Sequence, residues 1–288
     1  MRQRTLSATI VLLVTVVPLL LGIYGWLALV CLLLILGARE LAQGLGRLTG
    51  NGLSSAGIAI AGSAPIVTVA LSPHPASLLA ATTATVLIPL AWFVRHHELR
   101  VGLERAIVTA FGAAYLGIPL AASVALRNLE GRSAADWLVA VTALTGGQER
   151  SLGLAWIAWV LAVTWLTDVS AYLVGSQLGR RKLAPRISPG KTWEGASAGV
   201  VTGLLVGLLA GRLFGLPLTI ASSALLGAVL SILGELGDLA ESYLKRGVGI
   251  KDFGSLLPGH GGVLDRIDAL LVTIPATLLL ATLLGGGS

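Results

Sequence analysis

Apolar residues dominate long stretches of this sequence, and short polar segments separate them at regular intervals. A helix needs about 20 mostly apolar residues to cross the hydrocarbon core of a bilayer, within a range of roughly 17–25. Nine stretches come near this length, so the pattern predicts an all-α, polytopic integral membrane protein with about nine transmembrane helices. The predicted spans are residues 6–22, 24–42, 55–72, 76–94, 105–126, 152–178, 196–214, 217–240 and 266–284.

The connections between these spans do not isolate a soluble domain. Residues 1–150 hold about five spans and an outer loop, and residues 151–288 hold about four spans with polar loops at 179–195 and 241–265. We find no internal repeat, and we treat the two parts as a single integral unit.

Three features of the connections refine this prediction. Gly22–Gly25 alone separates the first two spans, which predicts a tight hairpin. The apolar run at 134–145 is too short to cross and is expected at the membrane interface. Arg2 and Arg4 precede an apolar run as in a signal peptide, but no cleavage site before a polar region follows, so we expect a retained first helix.

Composition supports the membrane class. The chain has 288 residues, of which 55% are hydrophobic and 12% charged, whereas soluble domains carry about 25% charged residues. One water-exposed globule is therefore excluded. The single cysteine, Cys31, excludes a disulfide framework. The net charge of +6 fits basic cytoplasmic loops and anionic lipid headgroups, and we expect no nucleic-acid partner.

Lysine and arginine are unevenly distributed between the two predicted sides of the membrane. With nine spans, 16 of the 20 basic residues lie on the side of the N-terminus and 4 on the other side. Cytoplasmic loops carry the excess of basic residues, so the N-terminus is predicted in the cytoplasm and the C-terminus outside. Both polar loops, 179–195 and 241–265, then face the cytoplasm.

The first segment with candidate chemistry ends the sixth span. Asp168 lies within an apolar run, with Tyr172 one turn later; because a charge at bilayer depth costs about 2.5–3.5 kcal/mol, it is expected to face the bundle interior or a water-filled cavity. The following stretch, Ser188-Pro189-Gly190-Lys191-Thr192, offers hydroxyls, backbone N–H groups and one cation to a phosphate. A plain positively charged cytoplasmic loop explains this stretch about equally well.

The second segment is denser in ionisable groups. Glu235, Asp238 and Ser242 share one face of a predicted helix, and Lys245 continues the same stripe. Asp265 and Asp268 are predicted to open the last helix, after a glycine-rich turn that contains His260. Carboxylates beside cations suit an oxygen-ligated Mg²⁺ that binds phosphates. The alternatives are ion pairs that pin a loop and, for His260, a helix cap.

These segments resemble two blocks of the bacterial phosphatidate cytidylyltransferases, also called CDP-diacylglycerol synthases. The second segment is similar to the family's C-terminal signature in Ser242-x-x-Lys245-Arg246, Lys251-Asp252-x-Gly254, Leu257-Pro258-Gly259-His260-Gly261-Gly262 and Asp265-Arg266-x-Asp268. Asp168–Tyr172 and Ser188–Gly195 resemble its other block, and the two blocks cover about a quarter of the chain. Arg39-Glu40 is a further likeness, whereas Val169-Ser170 departs from the family's usual Thr and small residue.

The resemblance implies an enzyme that converts CTP and phosphatidic acid to CDP-diacylglycerol and pyrophosphate in phospholipid biosynthesis. It implies Mg²⁺ as cofactor and leaves a second cation open. It suggests a homodimer among the lipids of the inner (cytoplasmic) membrane, with the active site facing the cytoplasm.

The same resemblance assigns roles to residues of the C-terminal catalytic region. The main Mg²⁺ ligands are expected to be Asp238 and Asp265, supported by Asp268 and Asp168 in the surrounding shell or at a second cation. Further catalytic contacts, to phosphate and pyrophosphate, are expected from Lys245, Arg246, Lys251, His260 and Arg266. Substrate-binding contacts are expected from Ser188, Lys191, Thr192, Ser242, Gly261 and Gly262.

Three other functions are compatible with some of these features. A cation- or proton-coupled transporter would also place carboxylates in glycine-interrupted helices, but the charged groups gather at one predicted face and no paired interruption recurs. A CTP-dependent synthase acting on another lipid phosphate, such as an archaeal ether lipid, would use the same chemistry. A structural scaffold would have no need for His260 among glycines.

Overall fold

The computed structural model describes residues 2–50, 52–72, 75–145, 148–256 and 261–285. Within these ranges the chain forms α-helices, two 3₁₀ turns at Gly46–Thr49 and Gln148–Arg150, and one pair of β-strands. The helices are α1 (Arg2–Leu20), α2 (Gly22–Leu45), α3 (Ser55–Leu71), α4 (Pro75–Phe93), α5 (Leu99–Arg127), α6 (Asp136–Ala143), α7 (Ser151–Leu178), α8 (Trp193–Leu213), α9 (Ile220–Gly247), α10 (Leu264–Ile267) and α11 (Leu270–Gly285).

Six segments of the described chain are long and apolar enough to cross a membrane. They are Gly22–Thr49, Leu99–Arg127, Ser151–Leu178, Trp193–Leu213, Ile220–Gly247 and Leu264–Leu284. Three shorter apolar helices lie at Thr9–Leu20, Ser55–Leu71 and Ser77–Phe93. The predicted helical, multi-pass membrane fold is therefore confirmed, whereas the count of nine spans and the side of the N-terminus stay predictions.

The segment 179–195, expected as an irregular loop in an all-α protein, instead contains a β-hairpin. Strand β1 (Lys182–Ala184) pairs antiparallel with β2 (Ser188–Thr192), with Lys182 opposite Thr192. Pro189 within β2 argues against a central strand, because proline cannot donate to the ladder. A two-stranded hairpin has only edge strands, so the missing donor is tolerated here.

The last span is interrupted near its start, which corrects the prediction that Asp265 and Asp268 open one continuous helix. Asp265 belongs to the single turn α10, and Asp268 lies in the turn before α11. The Asp268 Oδ1 atom accepts a hydrogen bond from the Ala269 backbone N–H at 2.8 Å. Such local side-chain bonds compete with the helical hydrogen-bond pattern, which accounts for the interruption.

The described contacts divide the chain into two compact units that are discontinuous in sequence. The first unit combines Met1–Ala125 with Lys245–Ile267, and the second combines Leu126–Leu244 with Asp268–Ser288. The short α6, in the second unit, occupies the run that was judged too short to span.

The first unit is built on α2, α3 and α5. Glycines at the contacts bring these backbones close: a β-carbon on Gly37 of α2 would lie 3.2 Å from Leu116 of α5, and one on Gly117 of α5 would collide with the backbone of Gly62 in α3. Trp26 of α2 donates from its indole nitrogen to the Ser123 carbonyl at 3.3 Å. Small residues at helix contacts are the usual means of close packing in membranes.

The second unit packs around the first part of α7, where most side chains from Ser151 to Thr167 are buried. Trp156 and Trp159 form an edge-to-face pair with ring centroids 5.6 Å apart, and Trp159 also donates to the Gly207 carbonyl of α8 at 2.8 Å. Helices α8 and α9 approach closely through Gly207 and Gly227. The hairpin and α9, both in this unit, carry one of the two charged clusters described below.

Candidate active site

Lys191 of β2 forms two ion pairs with neighbouring carboxylates of α9. Its Nζ lies 2.8 Å from Asp238 Oδ2 and 3.0 Å from Glu235 Oε1. Glu235 and Asp238 are three residues apart, so they lie on the same face of the helix. We call these three residues the Lys191 cluster, and all of them belong to the second unit. A single cation between two carboxylates is the main electrostatic feature of this cluster.

The environment of Lys191 keeps its ammonium group charged. Burial is the largest single influence and lowers its pKa, but the Asp238 and Glu235 carboxylates together outweigh burial, so the net pKa of Lys191 is raised above its ordinary value. A raised pKa adds stability that is complete below the ordinary value for lysine and is lost only as the pH rises through the raised one. The ion pairs therefore persist throughout the neutral range.

The hairpin that carries Lys191 is tied to the helices on both sides of it. The Glu194 carboxylate accepts hydrogen bonds from the backbone N–H groups of Arg180 at 3.1 Å and Arg181 at 3.2 Å. The buried Thr192 hydroxyl accepts from the Gly195 N–H at 3.2 Å and thereby caps α8. These contacts hold both ends of the hairpin, and they therefore define the position of the Lys191 backbone.

Asp265 is the centre of a second charged cluster, which lies in the first unit. Its Oδ1 accepts from Lys245 Nζ at 2.7 Å, and its Oδ2 accepts from the backbone N–H groups of Gly262 at 2.8 Å and Phe253 at 3.2 Å. The side chains of Lys245 and Asp265 are only 10% and 4% exposed. We call these four residues the Asp265 cluster. Because a buried charge is costly without a partner, each member of this ion pair requires the other.

Two of the predicted substrate-binding glycines shape the Asp265 cluster. Gly261 has φ +78°, and a β-carbon there would lie 2.9 Å from Asp265 Oδ2, so both backbone and space favour glycine. Gly262 contributes its N–H to the same oxygen. In this structure the two glycines hold the carboxylate, and their contact with substrate stays a prediction.

The remaining predicted site residues occupy varied positions. Ser242 Oγ lies 3.4 Å from Asp238 Oδ1, and an Arg246 guanidinium nitrogen donates to the Ile250 carbonyl at 3.0 Å. Ser188 begins β2 and Asp268 is half-buried, whereas exposed positions are taken by Arg246, Lys251, Arg266 and Asp168. His260 lies outside the described residues.

Two features bear directly on the metal prediction. In the part of the chain that the structure describes, no group of three or more His, Cys, Asp or Glu side chains is placed to hold a metal ion. Asp168 was expected to face the bundle interior or a water-filled cavity and is exposed on α7. Two carboxylates, Glu235 and Asp238, do converge on one cation, the Lys191 ammonium.

Three acidic residues without an assigned role prove to be important contacts. Glu235 was placed on the correct helix face, but its ion pair with Lys191 was not foreseen. Glu194, in the first turn of α8, tethers the hairpin. Glu40 of α2 is buried, and its two carboxylate oxygens accept from the backbone N–H groups of Val263 and Leu264, each at 2.9 Å. An acid inside an apolar span was the available signal for Glu40.

Together these observations define a helical membrane protein with two cation–carboxylate clusters next to polar connecting segments, of which the Asp265 cluster is buried and the Lys191 cluster is half-buried. A sequence model described as the cytidylyltransferase family matches residues 2–284. The chain therefore belongs to the cytidylyltransferase family.

Curated proteins from several bacteria are similar to this chain. A Brucella abortus (strain 2308) protein named phosphatidate cytidylyltransferase is 36% identical over 222 residues, which cover 66% of this chain and 80% of that protein. Proteins of the same name from Bacillus subtilis (strain 168) and Staphylococcus haemolyticus (strain JCSC1435) are each 44% identical, over 131 and 126 residues. Those two matches span about half the length of each relative, at 49% and 48%.

Proposed function

We propose that the protein transfers a cytidylyl group from CTP to phosphatidic acid, with CDP-diacylglycerol and pyrophosphate as products, as a step of phospholipid biosynthesis. The observation that carries this proposal is the family match over residues 2–284, which includes both charged clusters. The names of the relatives point to the same substrates. A membrane fold also suits a reaction in which one substrate is a lipid.

The chemistry needs charge neutralisation more than a strong base. A phosphate oxygen of the lipid attacks the α-phosphorus of CTP, and the bond from that phosphorus to the pyrophosphate oxygen breaks. The second pKa of a phosphate monoester is about 6, so the nucleophile is already ionised at neutral pH. In-line positioning and cations beside the phosphates then supply most of the catalysis. Lys191, Lys245, Arg246, Lys251 and Arg266 are the cations that we propose for this role.

The Lys191 cluster has the donor chemistry that Mg²⁺ requires. Mg²⁺ is commonly bound by one or two protein carboxylates, with water and substrate phosphates completing its six ligands. Glu235 and Asp238 already hold one cation, the Lys191 ammonium, between them. We therefore propose this pair as the protein ligands of Mg²⁺, which when bound would neutralise charge on the phosphate oxygens. Metal binding by Asp265, Asp268 and Asp168 rests on the resemblance and stays a prediction.

A direct assay tests the proposed reaction. Purified protein in detergent, given phosphatidic acid, radiolabelled CTP and Mg²⁺, is expected to release pyrophosphate and produce a labelled lipid. Omitting phosphatidic acid or adding a chelator should abolish the labelled lipid. Turnover only with an ether-linked lipid phosphate would change the substrate assignment. No CTP consumption with either lipid, by protein shown to be folded, would contradict the enzyme assignment.

We further propose that the protein is a homodimer of the inner (cytoplasmic) membrane and that the hairpin lies on the cytoplasmic side. The orientation is supported by the excess of basic residues on the side that contains 179–195, and the homodimer rests on the family resemblance alone. CTP would then enter from the cytoplasm and the lipid from the bilayer, and the two substrates would meet at one membrane face.

Cysteine labelling tests this orientation. In a Cys31→Ser background, Arg132→Cys is expected to react with a membrane-impermeant maleimide in intact cells, and Arg186→Cys only after permeabilisation. Both positions are exposed, and the predicted α7 span separates them along the chain. Labelling of both sites in intact cells, or of neither before permeabilisation, would refute the proposed orientation or the single crossing between them.

A further inference from the structure

We infer that Glu40 is a positioning residue for the active site: from α2 it holds the backbone of Val263 and Leu264, and through the adjacent Gly262 it positions the Asp265 carboxylate. The inference deepens the proposed cytidylyl transfer and rests on it for the effect on turnover. Glu40 and its partners all belong to the first unit.

The contact between Glu40 and this backbone is bidentate. Oε1 accepts from the Val263 N–H and Oε2 from the Leu264 N–H, both at 2.9 Å, across more than 220 residues of sequence. Leu264 is the first residue of α10, whose N–H groups have no partner within their own helix. Glu40 therefore supplies an acceptor for that helix start from a distant element, and a carboxylate has two oxygens that can both accept.

The same segment also holds Asp265. The Gly262 N–H donates to Asp265 Oδ2 at 2.8 Å, and Gly262 precedes the two residues that donate to Glu40. Three successive backbone N–H groups are thus directed at two carboxylates. A displacement of Val263 and Leu264 would carry Gly262 with it and move the donor away from Asp265.

The space around Glu40 shows that this contact is built into the fold. A β-carbon on Gly254 or on Gly262 would collide with the Glu40 carboxylate. The side chain is buried, with 6% of its surface exposed. Burying a carboxylate in an apolar span is costly, and the two charge-assisted hydrogen bonds offset that cost. These glycines therefore leave the room that the acid occupies.

Two substitutions of Glu40 distinguish a role in positioning the backbone from a role in packing alone. Glu40→Gln keeps the size but offers one acceptor oxygen to two donors, whereas Glu40→Asp keeps both oxygens on a shorter side chain. Glu104→Gln is the matched control, because Glu104 pairs with the 92% exposed Arg100 on α5 of the same unit. Surface pairs of this kind contribute little to stability.

We expect Glu40→Gln to lower kcat by about 10- to 100-fold, the scale of a misplacement of ~1 Å, with much smaller changes in the KM for CTP. Hydrogen exchange at the amides of residues 262–264 should accelerate at least about tenfold, since two acceptors become one. Glu40→Asp should recover part of both effects, and Glu104→Gln should match the wild type.

Two outcomes would overturn the inference. One is wild-type exchange at 262–264 in Glu40→Gln. The other is a lower melting temperature with an unchanged kcat per folded molecule, which would reduce Glu40 to a packing residue. If the wild type makes no CDP-diacylglycerol, the proposed function fails, while the exchange measurement still decides whether Glu40 holds this segment. If Glu40→Gln does not fold, Glu40→Asp serves for both measurements.

Discussion

Asp265→Asn is expected to reduce both the turnover number and the thermal stability of the protein. The asparagine keeps the size but removes the charge that Lys245 pairs with at 2.7 Å. Breaking a buried ion pair by neutralising one partner costs about 3–5 kcal/mol. Loss of a main electrostatic contributor commonly lowers kcat by ~10²–10³, and we expect at least that here. Melting in detergent and kcat per folded molecule measure the two effects separately.

Further variants distinguish a loss of turnover from a loss of stability at Asp265. Asp252→Asn changes an exposed acid in the same segment and should leave both quantities near wild type. Lys245→Met combined with Asp265→Asn removes both charges, so stability should partly return while turnover stays low. Near-wild-type kcat in the folded fraction of Asp265→Asn would show that the residue only anchors the segment. Partial rescue by raised Mg²⁺ would support the predicted role in metal binding.

Asp238→Asn is expected to lower kcat/KM for CTP by about 10²-fold and to raise the Mg²⁺ concentration needed for half-maximal activity. One of two carboxylates around the cation position is lost, so a divalent ion is held less tightly. Stability should fall less than in Asp265→Asn, because the Asp238 side chain is 35% exposed. A titration with Mg²⁺ at saturating lipid gives both quantities. An unchanged Mg²⁺ requirement would remove Asp238 from the metal assignment.

Lys191→Met serves as a control for Asp238→Asn, because it is expected to raise the metal affinity that Asp238→Asn lowers. The Lys191 ammonium lies where a cation between Glu235 and Asp238 would lie. Its removal should therefore strengthen binding of Mn²⁺, a spectroscopic substitute for Mg²⁺, to the substrate-free protein. The affinity for CTP should fall at the same time if Lys191 contacts phosphate during the reaction. Weaker Mn²⁺ binding in Lys191→Met would contradict the proposed carboxylate pair.

Helix placement was the part of the fold that the sequence predicted best. The span expected at 152–178 is α7 at Ser151–Leu178, because hydrophobic length alone determines where a chain can cross a bilayer. The interruption between α10 and α11 was missed, since Leu270 to Gly285 remain as apolar as the neighbouring spans. The hairpin was also missed, because Pro189 and Gly190 indicate a turn more strongly than a strand.

The charged residues of the two clusters could be selected from the sequence by type, but their pairing could not, and their catalytic roles stay predictions. Lys191 was selected from the Ser188–Thr192 stretch, Asp238 and Lys245 from one face of a predicted helix, and Asp265 from a predicted helix start after a glycine-rich turn. Their partners depend on tertiary contacts: Lys191 and Asp238 are 47 residues apart, a separation at which helical periodicity carries no information. A cation assigned to phosphate consequently proves to be paired with two carboxylates in the structure.

The bonds of Glu40 also have a consequence for the order of biosynthesis. Val263 and Leu264 lie 223 and 224 residues after Glu40, and a ribosome adds about 5–20 residues per second. Helix α2 is therefore made roughly 10–45 s before the backbone that satisfies its buried acid. During that interval the Glu40 side chain must either be solvated by water or lipid headgroups or be protonated. A nascent chain that ends before Val263 thus remains a folding intermediate, however many of its helices have already entered the bilayer.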